Sequence, residues 1–177
     1  MKLIAKELRN IKPTKRDLGK VKRRDIYFIL DSVLDTYNVG GIFRLADAIG
    51  VKKVYLCGET ETPPNPRIKK ASINTTEWVS WEYLESAKDA IQKIKKETQN
   101  IQIIAVEQDE KSVFYTEIEY KLPIAFVVGN ETTGISKDVL GLCDYIAEIP
   151  MWGVNKSLNV IISLAIVAFE VAVTNKK

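Results

Sequence analysis

Several stretches of this chain are apolar almost without interruption: DIYFILDSV (25–33), KKVYLC (52–57), IQIIAVE (101–107) and PIAFVVG (123–129). A strand with one wet face alternates apolar and polar residues; strands like these must be covered on both faces, which is the condition of a parallel sheet. Between them lie segments with helical spacing. In NVGGIFRLADAIG (38–50), Val39, Ile42, Phe43, Ala46 and Ile49 share one side, and Gly50 closes the helix. ESAKDAIQKIKKET (85–98) turns Ala87, Ala90, Ile91 and Ile94 inward and its lysines outward. WVSWEYL (78–84) and YIAEIP (145–150) read as further strands, SKDVLGLC (136–143) as a short helix with Ser136 as N-cap, and the closing helix as about 157–173. The connection 58–78, broken by Pro63, Pro64 and Pro66, reads as a long loop. Strands alternating with helices predict an α/β fold, a mainly parallel sheet with helices on both faces.

Length and charge divide the chain unevenly. At 177 residues it suits one domain with a short extension. Residues 1–24 hold ten Lys/Arg against Glu7 and Asp17, a local balance of +8 within a total of +3. A basic arm (1–24) on a slightly acidic body (25–177) suits a polyanion such as RNA, and a solvated tail equally. No apolar run reaches the ~18 residues of a membrane span, and MKLIAKELRN is no secretory signal. Cys57 and Cys143, each among apolar neighbours, read as reduced buried thiols of a cytoplasmic protein. The chain has no histidine. Acid–base chemistry then falls to carboxylates, Lys, Arg or the substrate, and no metal site is expected. From Leu158 to Val173 the closing helix is polar only at Asn159, Ser163 and Glu170. A helix apolar almost all round predicts burial on more than one side, hence a homodimer.

Three stretches stand out for chemistry. In NVGGIFR (38–44), Arg44 points away from the apolar side and shares its own with Gly40 and Asp47. Asn38 suits an N-cap, and Gly40 would leave room for a ligand beside the guanidinium; a capped helix with an Arg44–Asp47 surface pair is the plainer reading. FVVGNETTG (126–134) runs a buried strand into Gly129, Asn130 and Glu131, at the strand end where open α/β sheets bind ligands. A tight turn explains it as well. In IPMWGVNKSLNV (149–160), Pro150 stops a strand, Gly153 permits an unusual backbone angle, and Ser157 caps the closing helix, which leaves Asn159 without a capping role.

These three stretches, in this order, resemble the three motifs of the SpoU/TrmH branch of SPOUT RNA methyltransferases, over about residues 25–173. The resemblance implies a C-terminal trefoil knot over about 124–173, a homodimer through the closing helix, and S-adenosyl-L-methionine (AdoMet) as cofactor. It implies cofactor contacts from Val106, Glu107, Gly129, Ile149, Met151, Ser157 and Leu158. The implied reaction is methyl transfer to a ribose 2′-hydroxyl of tRNA or rRNA, with Arg44, Asn38, Glu131, Ser157 and Asn159 as catalytic residues. Arg44 would position hydroxyl and phosphate, since a guanidinium is rarely neutral. Asn38 and Glu131 would hold the ribose or Arg44, and Ser157 and Asn159 would line the transfer site. Leu45 stands where threonine is frequent, and Asn74 where glycine is usual. Two other readings remain, a non-catalytic RNA-binding or assembly protein of the same fold and a nucleobase methyltransferase. The first would bind RNA without cofactor; for the second, no poised acid or base is evident.

Overall fold

The strand segments pair side by side. A computed structural model describes residues 12–174 of the chain. Of the expected basic arm, residues 1–11 lie outside the described residues, as do residues 175–177 at the end of the expected body. The elements are α1 (Lys15–Lys20), β1 (Arg24–Asp31), α2 (Thr36–Ile49), β2 (Val51–Cys57), α3 (Pro66–Ser72), β3 (Trp81–Leu84), α4 (Ala87–Glu97), β4 (Gln102–Val106), β5 (Val113–Phe114), β6 (Ile124–Val128), α5 (Lys137–Leu140), β7 (Tyr145–Glu148) and α6 (Val160–Thr174). Seven strands form one sheet in the order β3-β2-β1-β6-β4-β7-β5, every pair parallel.

The central strands carry the core. Phe28, Ile29 and Leu30 of β1 and Ala125, Phe126 and Val127 of β6 are fully buried. Each large side chain so removed from water contributes about 1.5–3 kcal/mol. One face packs against α2, α3 and α6 through Val39, Ile42, Phe43, Ile68, Leu164 and Val167. The other packs against α4 and α5 through Ala90, Ile91, Ile94 and Val139. Helices thus cover both faces, as the apolar strands require.

Several local expectations change. Asp35, not Asn38, caps α2: its side chain accepts from Tyr37 N–H, and Asn38 lies buried inside the helix. The supposed loop 58–78 contains α3 and a 3-10 turn (Thr75–Glu77). There the Asn65 side chain accepts from Arg67 and Ile68 N–H while Pro66 occupies the first turn, so the prolines start a helix instead of preventing one. Gly40 opens no room for a ligand, because a Cβ there would lie 2.5 Å from the Cβ of Ala71 in α3. Ser136 stands at the N-cap of α5 but makes no side-chain cap hydrogen bond. Asn74 does adopt the left-handed backbone that a glycine would suit, with φ 64°. The edge strand β5, only two residues long and exposed, carried no pattern from which to predict it.

The basic segment is anchored where it meets the sheet. In α1, Thr14 and Asp17 form a reciprocal capping box, and no residue of that helix is buried. Arg23 pairs with Asp47 of α2, and Arg24 donates to the carbonyl of Ala172 in the last turn of α6, where a cation meets unsatisfied carbonyls. Cys57 is buried and Cys143 partly so; both are free, and burial pushes each thiol up to about 12. Among the described residues, no helix is long and apolar enough to cross a membrane.

Candidate active site

At the carboxyl ends of β4, β6 and β7 the chain opens a cavity of about 480 Å³. Val106, Glu107, Gly129, Ile149, Met151, Ser157 and Leu158, the seven residues expected around a cofactor, all line it. So do Glu131 and Asn159. Three segments far apart in sequence converge here because β4 has β6 on one side and β7 on the other.

The turn after β6 is tightly determined. Asn130 Oδ1 accepts from Thr132 and Thr133 N–H, and its Nδ2 donates to the Ser32 carbonyl at 3.0 Å. Asn130 and Gly134 exchange backbone hydrogen bonds. Gly134 has φ 69°, which favours glycine, and a Cβ there would lie 2.5 Å from Glu107 Oε2. That oxygen accepts from Ile135 N–H at 3.1 Å, while Oε1 accepts from Gln108 N–H at 2.9 Å. Gly129 is required because a Cβ there would lie 2.4 Å from the main chain of Gly134. Its bareness is what lets the turn close.

Glu131 begins a chain of side-chain hydrogen bonds. Its carboxylate accepts from Leu34 and Asp35 N–H and from Asn38 Nδ2 at 2.8 Å. Partial burial raises its pKa; the hydrogen bonds from Asn38, Leu34 and Asp35 outweigh this and hold it below the usual value. Asn38 Oδ1 in turn accepts from Asn159 Nδ2 at 3.0 Å. Both ends of the buried Asn38 carboxamide are thus engaged within the protein, and neither Asn38 nor Glu131 is hydrogen-bonded to Arg44. Asn159 Oδ1 accepts from Ile161 N–H at 2.9 Å, so Asn159 is the residue that caps α6. Ser157 is not the cap: its N–H and Oγ both donate to Asn155 Oδ1, and α6 starts only at Val160.

Arg44 stands apart. It is exposed and does not line the cavity. It lies six residues beyond Asn38, about 9 Å along the helix axis and on another side. Its expected partner Asp47 is engaged elsewhere, accepting from Arg23 Nη2 at 3.3 Å and Trp78 Nε1 at 2.9 Å.

The remaining wall, residues 150–159, is exposed from Trp152 to Asn159. Gln108 Nε2 donates to the Lys156 carbonyl at 2.7 Å, and Lys156 Nζ donates to the Met151 carbonyl at 2.9 Å. Gln108 is a lining residue that the sequence reading missed; a lone Gln after a strand carries no signal of its own. Gly153 has no left-handed backbone, contrary to expectation. No group of three or more His, Cys, Asp or Glu suited to a metal occurs among the described residues.

The chain is similar in sequence and in fold to known proteins. Residues 25–169 match the model of the SpoU rRNA methylase family. The tRNA (guanosine(18)-2′-O)-methyltransferase of Aquifex aeolicus is 30% identical over 159 residues, covering 88% of this chain and 72% of that protein. The Escherichia coli K12 enzyme of the same name is 31% identical, covering 84% of this chain and 63% of that protein. The crystal structure of the A. aeolicus TrmH/SpoU tRNA modifying enzyme superposes with TM-score 0.79 at 26% identity, covering 97% of this chain and 82% of that one. An AdoMet-bound rRNA methyltransferase from Sinorhizobium meliloti superposes with TM-score 0.79 at 28% identity, covering 96% of this chain and 61% of that one. The chain belongs to the SpoU methylase family.

Proposed function

We propose that this protein is an AdoMet-dependent RNA methyltransferase that modifies a ribose 2′-hydroxyl of tRNA or rRNA. The observation that carries this reading is the convergence of Gly129, Ile149, Met151, Ser157 and Leu158 on one cavity, with the Glu131–Asn38–Asn159 chain at its edge. The residues fit the cofactor. Val106, Ala147, Ile149 and Leu158 offer apolar wall, while Glu107, Asn130, Thr132 and Ser157 offer polar groups, all around a space of about 480 Å³. AdoMet supplies an electrophilic methyl group when bound. The protein's task is then to hold a weak nucleophile in line and to stabilise the charge it develops on losing its proton.

Arg44, exposed and permanently cationic, grips the RNA phosphate and positions the hydroxyl. Asn38 and Glu131 act as positioning residues. Glu131 fixes which way the Asn38 carboxamide faces, and Asn38 fixes Asn159 at the cavity wall. Ser157 and Asn159 face the transfer site. Because Arg44 does not line the cavity of its own chain, the site is completed across a homodimer. The apolar side of α6 supports this: Ile162, Phe169 and Val173 are each about half exposed, and Val154 and Trp152 in the segment before it are almost fully exposed. The trefoil knot over about 124–173 belongs to the same reading; β7 inserts between β4 and β5, inside the span of the connection that leads from β4 by way of β5 to β6. The basic arm supplies further phosphate contacts, in the cytoplasm, where the tRNA and rRNA substrates are found.

The test is methyl transfer from labelled AdoMet to total tRNA and rRNA, followed by nucleoside mapping. Label on a ribose is expected, and label on a base would overturn the reaction type. Arg44→Ala should abolish turnover and leave AdoMet binding intact. RNA binding with no AdoMet affinity would instead establish the non-catalytic reading.

A further inference from the structure

Asp47 follows Arg44 by three residues on α2, a spacing at which helical side chains meet. It is the sole carboxylate within one turn of Arg44; the residues four before, three before and four after are Gly40, Gly41 and Ala48. Left alone, the two would form an ordinary surface pair and occupy the guanidinium. They do not. Asp47 Oδ1 accepts from Arg23 Nη2 and Trp78 Nε1, and Arg23 Nη2 also donates to the Trp78 carbonyl at 3.4 Å. The Arg23 and Asp47 side chains are 22% and 32% exposed, so this contact is more sheltered than a rim ion pair. It forms even though Arg23 Nη1 is buried with no partner among the described residues. Arg44 meanwhile is exposed and makes no ion pair among the described residues. The nearby α3 adds Arg67 and Lys70, both exposed, and no acid; the Glu77 that follows is paired with Lys69 at 3.0 Å.

We propose that Arg23 and Trp78 are positioning residues that draw Asp47 away from Arg44, so that the Arg44 guanidinium stays open to an RNA phosphate. This rests on the methyltransferase reading for its consequence, but not for its geometry. Substitution of Arg23 or Trp78 frees Asp47 to swing along the helix and pair with Arg44.

The experiment uses the full chain with Arg23→Met, Trp78→Phe, Asp47→Asn and the double variant Arg23→Met/Asp47→Asn. Modification of Arg44 by phenylglyoxal, followed by peptide mass mapping, reports how open the guanidinium is without RNA or cofactor. In Arg23→Met and Trp78→Phe it should slow about three- to fivefold, the ceiling of an exposed ion pair, with kcat/KM for RNA falling alongside and AdoMet affinity unchanged. Asp47→Asn should stay within about twofold of the parent, and the double variant should recover. A purely structural contact predicts that the double variant stays as impaired as Arg23→Met below its melting transition; that result, or unchanged Arg44 reactivity in both single variants, overturns the proposal. Trp78→Phe serves if Arg23→Met does not fold. A parent protein that modifies Arg44 readily but methylates no RNA would sink the enzymatic reading, while the reactivity series would still decide this one.

Discussion

The two segments that wall the cavity are built by opposite means. In the turn after β6, the Asn130 side chain makes three hydrogen bonds, Gly134 is held in the left-handed region, and Glu107 anchors Ile135 from the neighbouring strand end. In the segment after β7, eight consecutive residues from Trp152 are exposed, and the ties run through side chains from Gln108 to Lys156, Lys156 to Met151, Ser157 to Asn155 and Asn159 to Asn38. The first wall is shaped before any ligand arrives; the second has few buried contacts to lose if it moves. A binding site gains precision from the one and a way in from the other.

Two glycines test this contrast most sharply. Gly134→Val places a β-branched residue at φ 69° with its Cβ beside a carboxylate oxygen. The expected cost is about 3 kcal/mol, or roughly 6–12 °C in melting temperature for a chain this size. Gly153→Ala, whose Cβ would meet nothing nearer than 3.9 Å, should stay within about 0.5 kcal/mol. Equal losses in the two variants would break the contrast. Calorimetry on both proteins decides it.

A smaller effect is expected at Glu131. Replacing its carboxylate with an amide in Glu131→Gln turns an acceptor group toward three N–H donors into one that offers only a single oxygen, a cost of about 1–2 kcal/mol near neutral pH. The sign of its pH dependence follows from the lowered pKa: the stabilisation is complete above the ordinary Glu value of about 4.3 and is lost as pH falls through the lower folded value. Melting curves of parent and variant should therefore approach one another below about pH 4. A gap that stays constant into acid would mean that the carboxylate charge does not hold this wall.

The two walls also differed in how far they could be read from sequence. Continuous apolar runs fixed the strand positions, and Val39, Ile42, Phe43, Ala46 and Ile49 are all buried as their spacing implies. The turn after β6 was visible as a Gly-rich strand end, although nothing in the sequence showed that Gly129 must clear the main chain of Gly134. The segment after β7 was misread locally. Ser157 and Asn159 are both good caps, and propensity does not choose between them; the choice falls to Asn159 because Asn38, 121 residues away in sequence, anchors its other end. The same ambiguity put the α2 cap at Asn38 in place of Asp35. Helix α3 was hidden because prolines that open a helix look like prolines that forbid one. That the lining residues share one cavity was legible only through the three-motif resemblance, since periodicity places residues on elements and not beside one another.

Gln108 offers the finest test. It is exposed, so its loss should change stability by no more than about 0.5 kcal/mol. Yet its Nε2 joins the end of β4 to the Lys156 carbonyl and lies 3.8 Å from Met151 Sδ, so it ties a strand end to two points of the exposed wall. One such hydrogen bond is worth about 0.5–1.5 kcal/mol when it pre-orders a segment that binding would otherwise have to order. Gln108→Ala should thus melt with the parent and bind AdoMet about fivefold more weakly in a calorimetric titration. The Lys156–Met151 hydrogen bond offers the competing account, in which the segment folds on itself and Gln108 merely rests against it. Undiminished AdoMet affinity in Gln108→Ala would favour that account, and the second wall would then be as self-sufficient as the first.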